Sequence, residues 1–137
     1  MNLNEFRANV PSYVDKAIET GRSITGGKAE LKPSMDSIGV LDAVVAYAHE
    51  LWKKKQIDDD VAWDIAVSFG VLLGEMMIRE HELYWTVNEE GIPVVAKGEK
   101  HTASPITKLY RILTDEDDIE ESPSAFCEAF SALLRRR

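Results

Sequence analysis

The run Val61-Ala62-Trp63-Asp64-Ile65-Ala66-Val67-Ser68-Phe69-Gly70-Val71-Leu72-Leu73-Gly74-Glu75-Met76-Met77-Ile78 is followed shortly by Leu83-Tyr84-Trp85-Thr86-Val87, and the two stretches differ in period. From Ile65 to Ile78 apolar residues occupy nearly every face of a helix, so a helix there must be covered by neighbours on most sides. Asp64 and Glu75 interrupt the run, whereas a membrane-spanning helix needs about 20 nearly charge-free residues, so it reads as a core helix and no membrane partner is expected. Gly70 and Gly74 fall on one face and would each cost roughly 1 kcal/mol of helix propensity relative to Ala. Such a cost implies that something approaches closely, and Gly39, Ala43 and Ala46 of the preceding helix are the expected counterpart.

Beyond Arg79 the period changes from helical to alternating. Leu83, Trp85 and Val87 point one way, Tyr84, Thr86 and Asn88 the other, which is a strand. Asn88-Glu89-Glu90-Gly91 supplies the turn and Ile92, Val94 and Ala96 the return strand, with Pro93 limiting it to an edge or to pairing on one side. Gly98 to Ala103 then reads as a polar loop. Ser104-Pro105 and Ser122-Pro123 each give an N-cap followed by a first-turn proline, opening two last helices. Their apolar stripes are Ile106, Leu109, Tyr110 and Leu113, then Phe126, Ala129, Phe130, Leu133 and Leu134.

Upstream, Pro11 reads as the first turn of a short helix that Gly21 stops, with Leu3 to Ala8 able to add a turn before it, and residues 21–33 as a flexible connection. Ser34 or Asp36 would cap the second helix, whose positions Ile38, Leu41, Val45, Ala48 and Trp52 step by three and four. The expected fold class is therefore α+β, mainly helical, with about five helices and a β-hairpin packed on the central apolar helix, in a single domain over 1–137.

Composition narrows function by exclusion. The chain has 137 residues, 45% apolar and 29% charged, which suits one globular domain. Its 24 acidic residues against 16 basic ones give a formal charge of -8, which opposes phosphate backbones and anionic lipid and favours a basic protein partner. Nucleic acid is not an expected partner. A lone cysteine, Cys127, permits no internal disulfide, and the N-terminus lacks a basic segment leading into an apolar run, so a cytoplasmic location is expected.

No catalytic or metal motif assembles. Gly21, Gly26, Gly27 and Lys28 only echo a phosphate loop, since Lys28 is followed by Ala29 rather than Ser or Thr. His81-Glu82 starts like a zinc-protease motif, yet Trp85 stands where the second histidine belongs. Glu75, a carboxylate in an apolar helix, needs a partner, with Arg79 the first choice and Lys108 a more distant one. Cys127 lies on the last helix's apolar stripe and reads as an inert thiol. Neither a metal nor a cofactor is expected. Two acidic runs remain, Asp58-Asp59-Asp60 and the loop from Asp115 to Glu121 with Asp117 and Asp118. The first complements the dipole of the helix it opens, and the second lacks the spacing of a calcium loop.

The stretches Phe69 to Glu75, Trp85, Gly91-Ile92-Pro93-Val94 and Ser104 to Lys108 resemble small bacterial domains of unknown function. In these, an apolar helix ending near Leu-Gly-Glu leads to a Trp-bearing hairpin and a proline-initiated helix. The resemblance spans about Val61 to Leu113 and brings no catalytic residue. Domains of this look also occur among bacterial immunity-type proteins, which implies a binding role. The expectation is a non-enzymatic interaction domain, its contacts at Asp58, Asp59, Asp60, Asp115, Asp117 and Asp118. The alternative is a small enzyme or ligand-binding domain using Glu75, His81 and His101.

Overall fold

The computed structural model describes residues 2–117 and 121–136, so Asp118 lies outside the described residues. The architecture is mainly helical α+β. In chain order it runs α1 (Leu3–Ile24), α2 (Ile38–Lys53), α3 (Asp59–His81), β1 (Tyr84–Val87), β2 (Pro93–Lys97), β3 (His101–Ala103), α4 (Pro105–Leu113) and α5 (Pro123–Arg135). The strands form one antiparallel sheet in the order β1-β2-β3.

The apolar helix is central. Asp58 caps α3 by accepting from the Val61 N–H at 2.9 Å, and Glu82, left-handed at φ 55, ends it by donating to the Ile78 carbonyl. Ala66, Phe69, Val71, Leu72, Leu73 and Met76 are fully buried. By length and composition α3 could cross a membrane, yet 67% of its most apolar window is buried inside the fold.

The two glycines of α3 do create close contacts, but not with α2. A Cβ on Gly70 would sit 2.6 Å from the Ile106 Cα at the start of α4, and one on Gly74 would overlap the benzo ring of Trp85. Gly39 has nothing within 4 Å of its Cβ position. The expected Gly39, Ala43 and Ala46 counterpart is therefore corrected: the glycines admit a helix start and a tryptophan from segments downstream of α3. Spacing reveals that a surface is small, not which element arrives there.

The sheet differs from the expected hairpin by one strand. Residues expected to be loop, His101 to Ala103, pair with β2 through Val95–Ala103, Ala96–Thr102 and Lys97–His101. This puts β2 in the middle. Pro93 is tolerated because it begins the strand, opposite Val87 on β1 and beyond the reach of β3, so its missing donor breaks no second ladder.

At the N-terminus α1 is longer than expected, and Pro11 lies inside it. Asn2 starts the helix by accepting from the Glu5 N–H at 2.8 Å. Phe6 and Val10 then bury one face, which offsets the lost hydrogen bond at Pro11, about 3 kcal/mol in a helix interior. Gly21 does not stop the helix. It leaves room for Leu31, whose Cδ1 would be 2.8 Å from an added Cβ.

The connection therefore begins at Thr25, whose hydroxyl donates to the Gly21 carbonyl and accepts from the Ala29 N–H. Ala29 and Leu31 are core residues. Arg22 forks onto both oxygens of Glu30 at 2.9 and 3.0 Å, and this hydrogen-bonded guanidinium holds Glu30 below the usual carboxylate range. Both side chains are exposed, so the pair orders the loop more than it stabilises the fold.

α2 starts at Ile38, after a 3-10 turn over Met35–Ser37, later than a Ser34 or Asp36 cap would place it. Ser37 instead accepts from the Lys32 N–H at 3.0 Å. Ser104 and Ser122 cap α4 and α5 as expected, with Pro105 and Pro123 in the first turns. The buried face of α5 is rotated from the expected stripe: Cys127 and Phe130 are buried, Ala129 is exposed, and Leu133 is 47% exposed.

A second cap on α5 comes from α2. Asp42 accepts from both the backbone N–H and the hydroxyl of Ser124, at 2.9 and 2.6 Å. A carboxylate at a helix N-terminus gains from the dipole as well as from the bonds. Asp42→Ala is therefore expected to cost about 2 kcal/mol in a urea denaturation, and Asp42→Asn clearly less. An unchanged midpoint for Asp42→Ala would show that the cap contributes nothing.

Candidate functional site

The C-terminal end of α2 reverses sharply. Lys55 is left-handed at φ 60, and the Lys55 and Gln56 N–H groups donate back to the Trp52 and Leu51 carbonyls at 3.0 and 2.9 Å. This is a Schellman closure with lysine where glycine is usual, at a cost of about 1 kcal/mol. The reversal sends Ile57 and Asp58 straight into α3. Trp52, one turn back, donates its indole N–H to the Asp59 carboxylate at 2.8 Å and stacks on His49 with centroids 6.3 Å apart.

His49 ties this corner to the end of α4. Its Nδ1 is 3.0 Å from the Leu113 carbonyl oxygen, so the tautomer protonated there donates to the helix C-terminus. The next residues form a tight turn, in which the Thr114 hydroxyl donates to the Tyr110 carbonyl and Asp115 accepts from the Asp117 N–H at 2.8 Å. Glu116 sits at the tip of that turn.

The outcome is one cleft of about 550 Å³ lined by Trp52, Lys53, Lys55, Ile57, Asp58, Asp59 and Glu116. Two acidic runs that are far apart in sequence thus share a site. Lining carboxylates outnumber ammonium groups three to two, and Asp60 and Asp117 are exposed nearby in their respective runs. Of the six residues expected to bind, Asp58 and Asp59 line the cleft, Asp60 lies on the same helix turn, and Asp115 and Asp117 shape the opposing turn. Sequence reading passed over Glu116 and Trp52. Glu116 lies within the acidic run Asp115 to Glu121, and Trp52 falls on the expected buried stripe of α2 yet is only half-buried.

The alternative residues do not gather. Glu75 is half-buried and accepts from the Trp85 indole N–H at 3.1 Å, not from exposed Arg79. Lys108 pairs instead with Glu121 at 2.6 Å. His81 contacts the Ser131 hydroxyl through Nε2 at 2.7 Å, while His101 stands opposite Lys97 in the sheet. None of the three lines this cleft or the cavities beside Gly39, His49, Cys127 and Trp63.

Cys127 is buried, and burial pushes its thiol up to about 12, with the carboxylates of Asp42 and Glu128 adding to the effect. Its thiolate is therefore scarce at neutral pH. Among the described residues no three His, Cys, Asp or Glu side chains cluster as a metal would require. Against known proteins, no family model, no curated protein and no solved structure matches the chain.

Proposed function

We propose that the chain is a non-enzymatic interaction domain that binds a basic protein in the cytoplasm, through the acidic cleft at the α2–α3 corner. The carrying observation is the convergence of Asp58, Asp59 and Glu116 around one cleft beside Trp52. An arginine entering there would meet carboxylates able to accept in pairs and an aromatic ring, the two groups a guanidinium prefers. The net charge of -8 adds a long-range field that draws positive surfaces inward. Neutralising such a protein, or regulating it, is the role this chemistry suits.

The test removes charge without touching a cap. Asp58 is left intact because it caps α3, and losing that bond costs about 1 kcal/mol. The variant Asp59→Asn/Asp60→Asn/Glu116→Gln/Asp117→Asn keeps side-chain shape and should retain the wild-type circular dichroism spectrum. A basic protein co-purifying with the wild-type chain from its native host should fall about tenfold or more in recovery with this variant, the loss of roughly 1.4 kcal/mol of binding. Undiminished recovery would overturn the assignment of the cleft.

A further inference from the structure

A second concavity, about 200 Å³, lies where the first half of α3, the β1–β2 turn and α1 meet. Its walls include Tyr13, Trp63, Val67, Val87, Ile92 and Pro93, and none of its lining residues is charged. Two of them are unusually open for their size, Trp63 at 42% and Val87 at 37% exposure. The Trp63 ring is nonetheless held, edge to face with Tyr110 at 5.3 Å and 79°. A fixed, exposed aromatic wall loses little freedom on binding and is the type of surface that anchors a partner.

Exposed acidic residues neighbour the lining residues along the chain on two of its walls. Asp60 is one turn before Trp63 on the same helical face, with Asp64 beside it. At the other end Glu89 and Glu90 are exposed and directly precede Gly91, which lines the groove. No Lys or Arg occurs from Asp58 to Ile78 or from Glu82 to Ala96. On the α1 wall Arg7 is committed to the Trp85 carbonyl at 2.6 Å, and Lys16 adjoins Asp15.

From this charge complementarity we infer that the groove receives a bulky apolar side chain flanked by Lys or Arg, on an extended segment of the basic partner. The anchor enters between Trp63 and Val87, while flanking cations meet Asp60 and Asp64 on one side and Glu89 and Glu90 on the other. The inference rests on the reading of a basic partner but assigns that partner a sequence requirement, an apolar anchor between cations, which the acidic cleft alone does not impose.

Two peptides separate the claims: acetyl-Lys-Lys-Phe-Lys-Lys-amide and its Ala-centred counterpart, each titrated into the isotope-labelled full chain and followed by NMR. The Phe peptide should shift the Trp63 indole N–H and the Val87 and Ile92 amides, and bind about five- to tenfold more tightly than the Ala peptide, as partial burial of a phenyl ring allows. Trp63→Ala should abolish that difference. Glu89→Lys/Glu90→Lys, confined to an exposed turn where folding is not at stake, should weaken the Phe peptide about tenfold. Equal binding of both peptides, with shifts only around Asp59 and Glu116, would overturn the groove and leave the acidic cleft standing. Absence of binding by either peptide would overturn both.

Discussion

Gly74→Ala is expected to destabilise the domain by about 3 kcal/mol, and Gly74→Leu to leave it largely unfolded, because the space a Cβ would need is filled by Trp85. The indole cannot retreat easily. Phe6 packs edge-on against it at 5.0 Å, Glu75 accepts its N–H, and Arg7 holds the Trp85 carbonyl. Gly70→Ala should be as damaging, since the obstacle there is Ile106 backbone. Gly39→Ala, with open space around its Cβ position, should instead stabilise by up to about 1 kcal/mol through helix propensity and unfolded-state entropy.

Gly21 falls between these extremes because the obstacle is the end of a leucine side chain. Urea midpoints of the single variants decide the matter, and similar shifts for Gly74→Ala and Gly39→Ala would contradict the packing described. Pairing Gly74→Ala with Trp85→Phe should recover more than about 1 kcal/mol of coupling, as residues in direct contact do.

Trp85→Ala is expected to cost about 4 kcal/mol, combining a large cavity with the loss of the Glu75 hydrogen bond. The partner identity sets the size of the Glu75 effects. Were Glu75 paired with Arg79, Glu75→Gln would break an ion pair; bonded to an indole N–H, the glutamine amide oxygen still accepts. Glu75→Gln should therefore cost about 1 kcal/mol or less, while Glu75→Leu strands the N–H of a residue only 5% exposed and should cost about 1–3 kcal/mol. Thermal and urea denaturation of the two variants check the order. A larger loss for Gln than for Leu would exclude the indole as the partner.

What could be read in advance follows from how local each signal was. Helix punctuation is written within a few residues, so Ser104 and Ser122 were recognisable as caps, the Asp58-Asp59-Asp60 run as a helix opening, and the helical run to Ile78 as the core. Tertiary partners are not local. Nothing near Ser124 announces that Asp42 caps it, and nothing near Gly70 announces Ile106.

The third strand was hidden because His101-Thr102-Ala103 is short and polar, and only the neighbouring strand gives it a ladder. Pro11 misled because burial of Phe6 and Val10 carries the helix through a residue that would otherwise begin one. For the candidate site, the acidic runs were visible as composition. Their meeting in one cleft was not, because it depends on the turn at Lys55 and on His49 anchoring the end of α4.

The most direct test of the acidic-surface reading is the association rate of the co-purified partner, measured by stopped flow from 0.1 to 1 M salt. Across that range the Debye length falls from about 10 Å to about 3 Å, which removes long-range steering and leaves short-range apolar contact. The wild-type rate should fall by about tenfold or more, and the variant neutralised at Asp59, Asp60, Glu116 and Asp117 should start low and depend only weakly on salt. A rate that ignores both salt and these substitutions would contradict recognition through this surface.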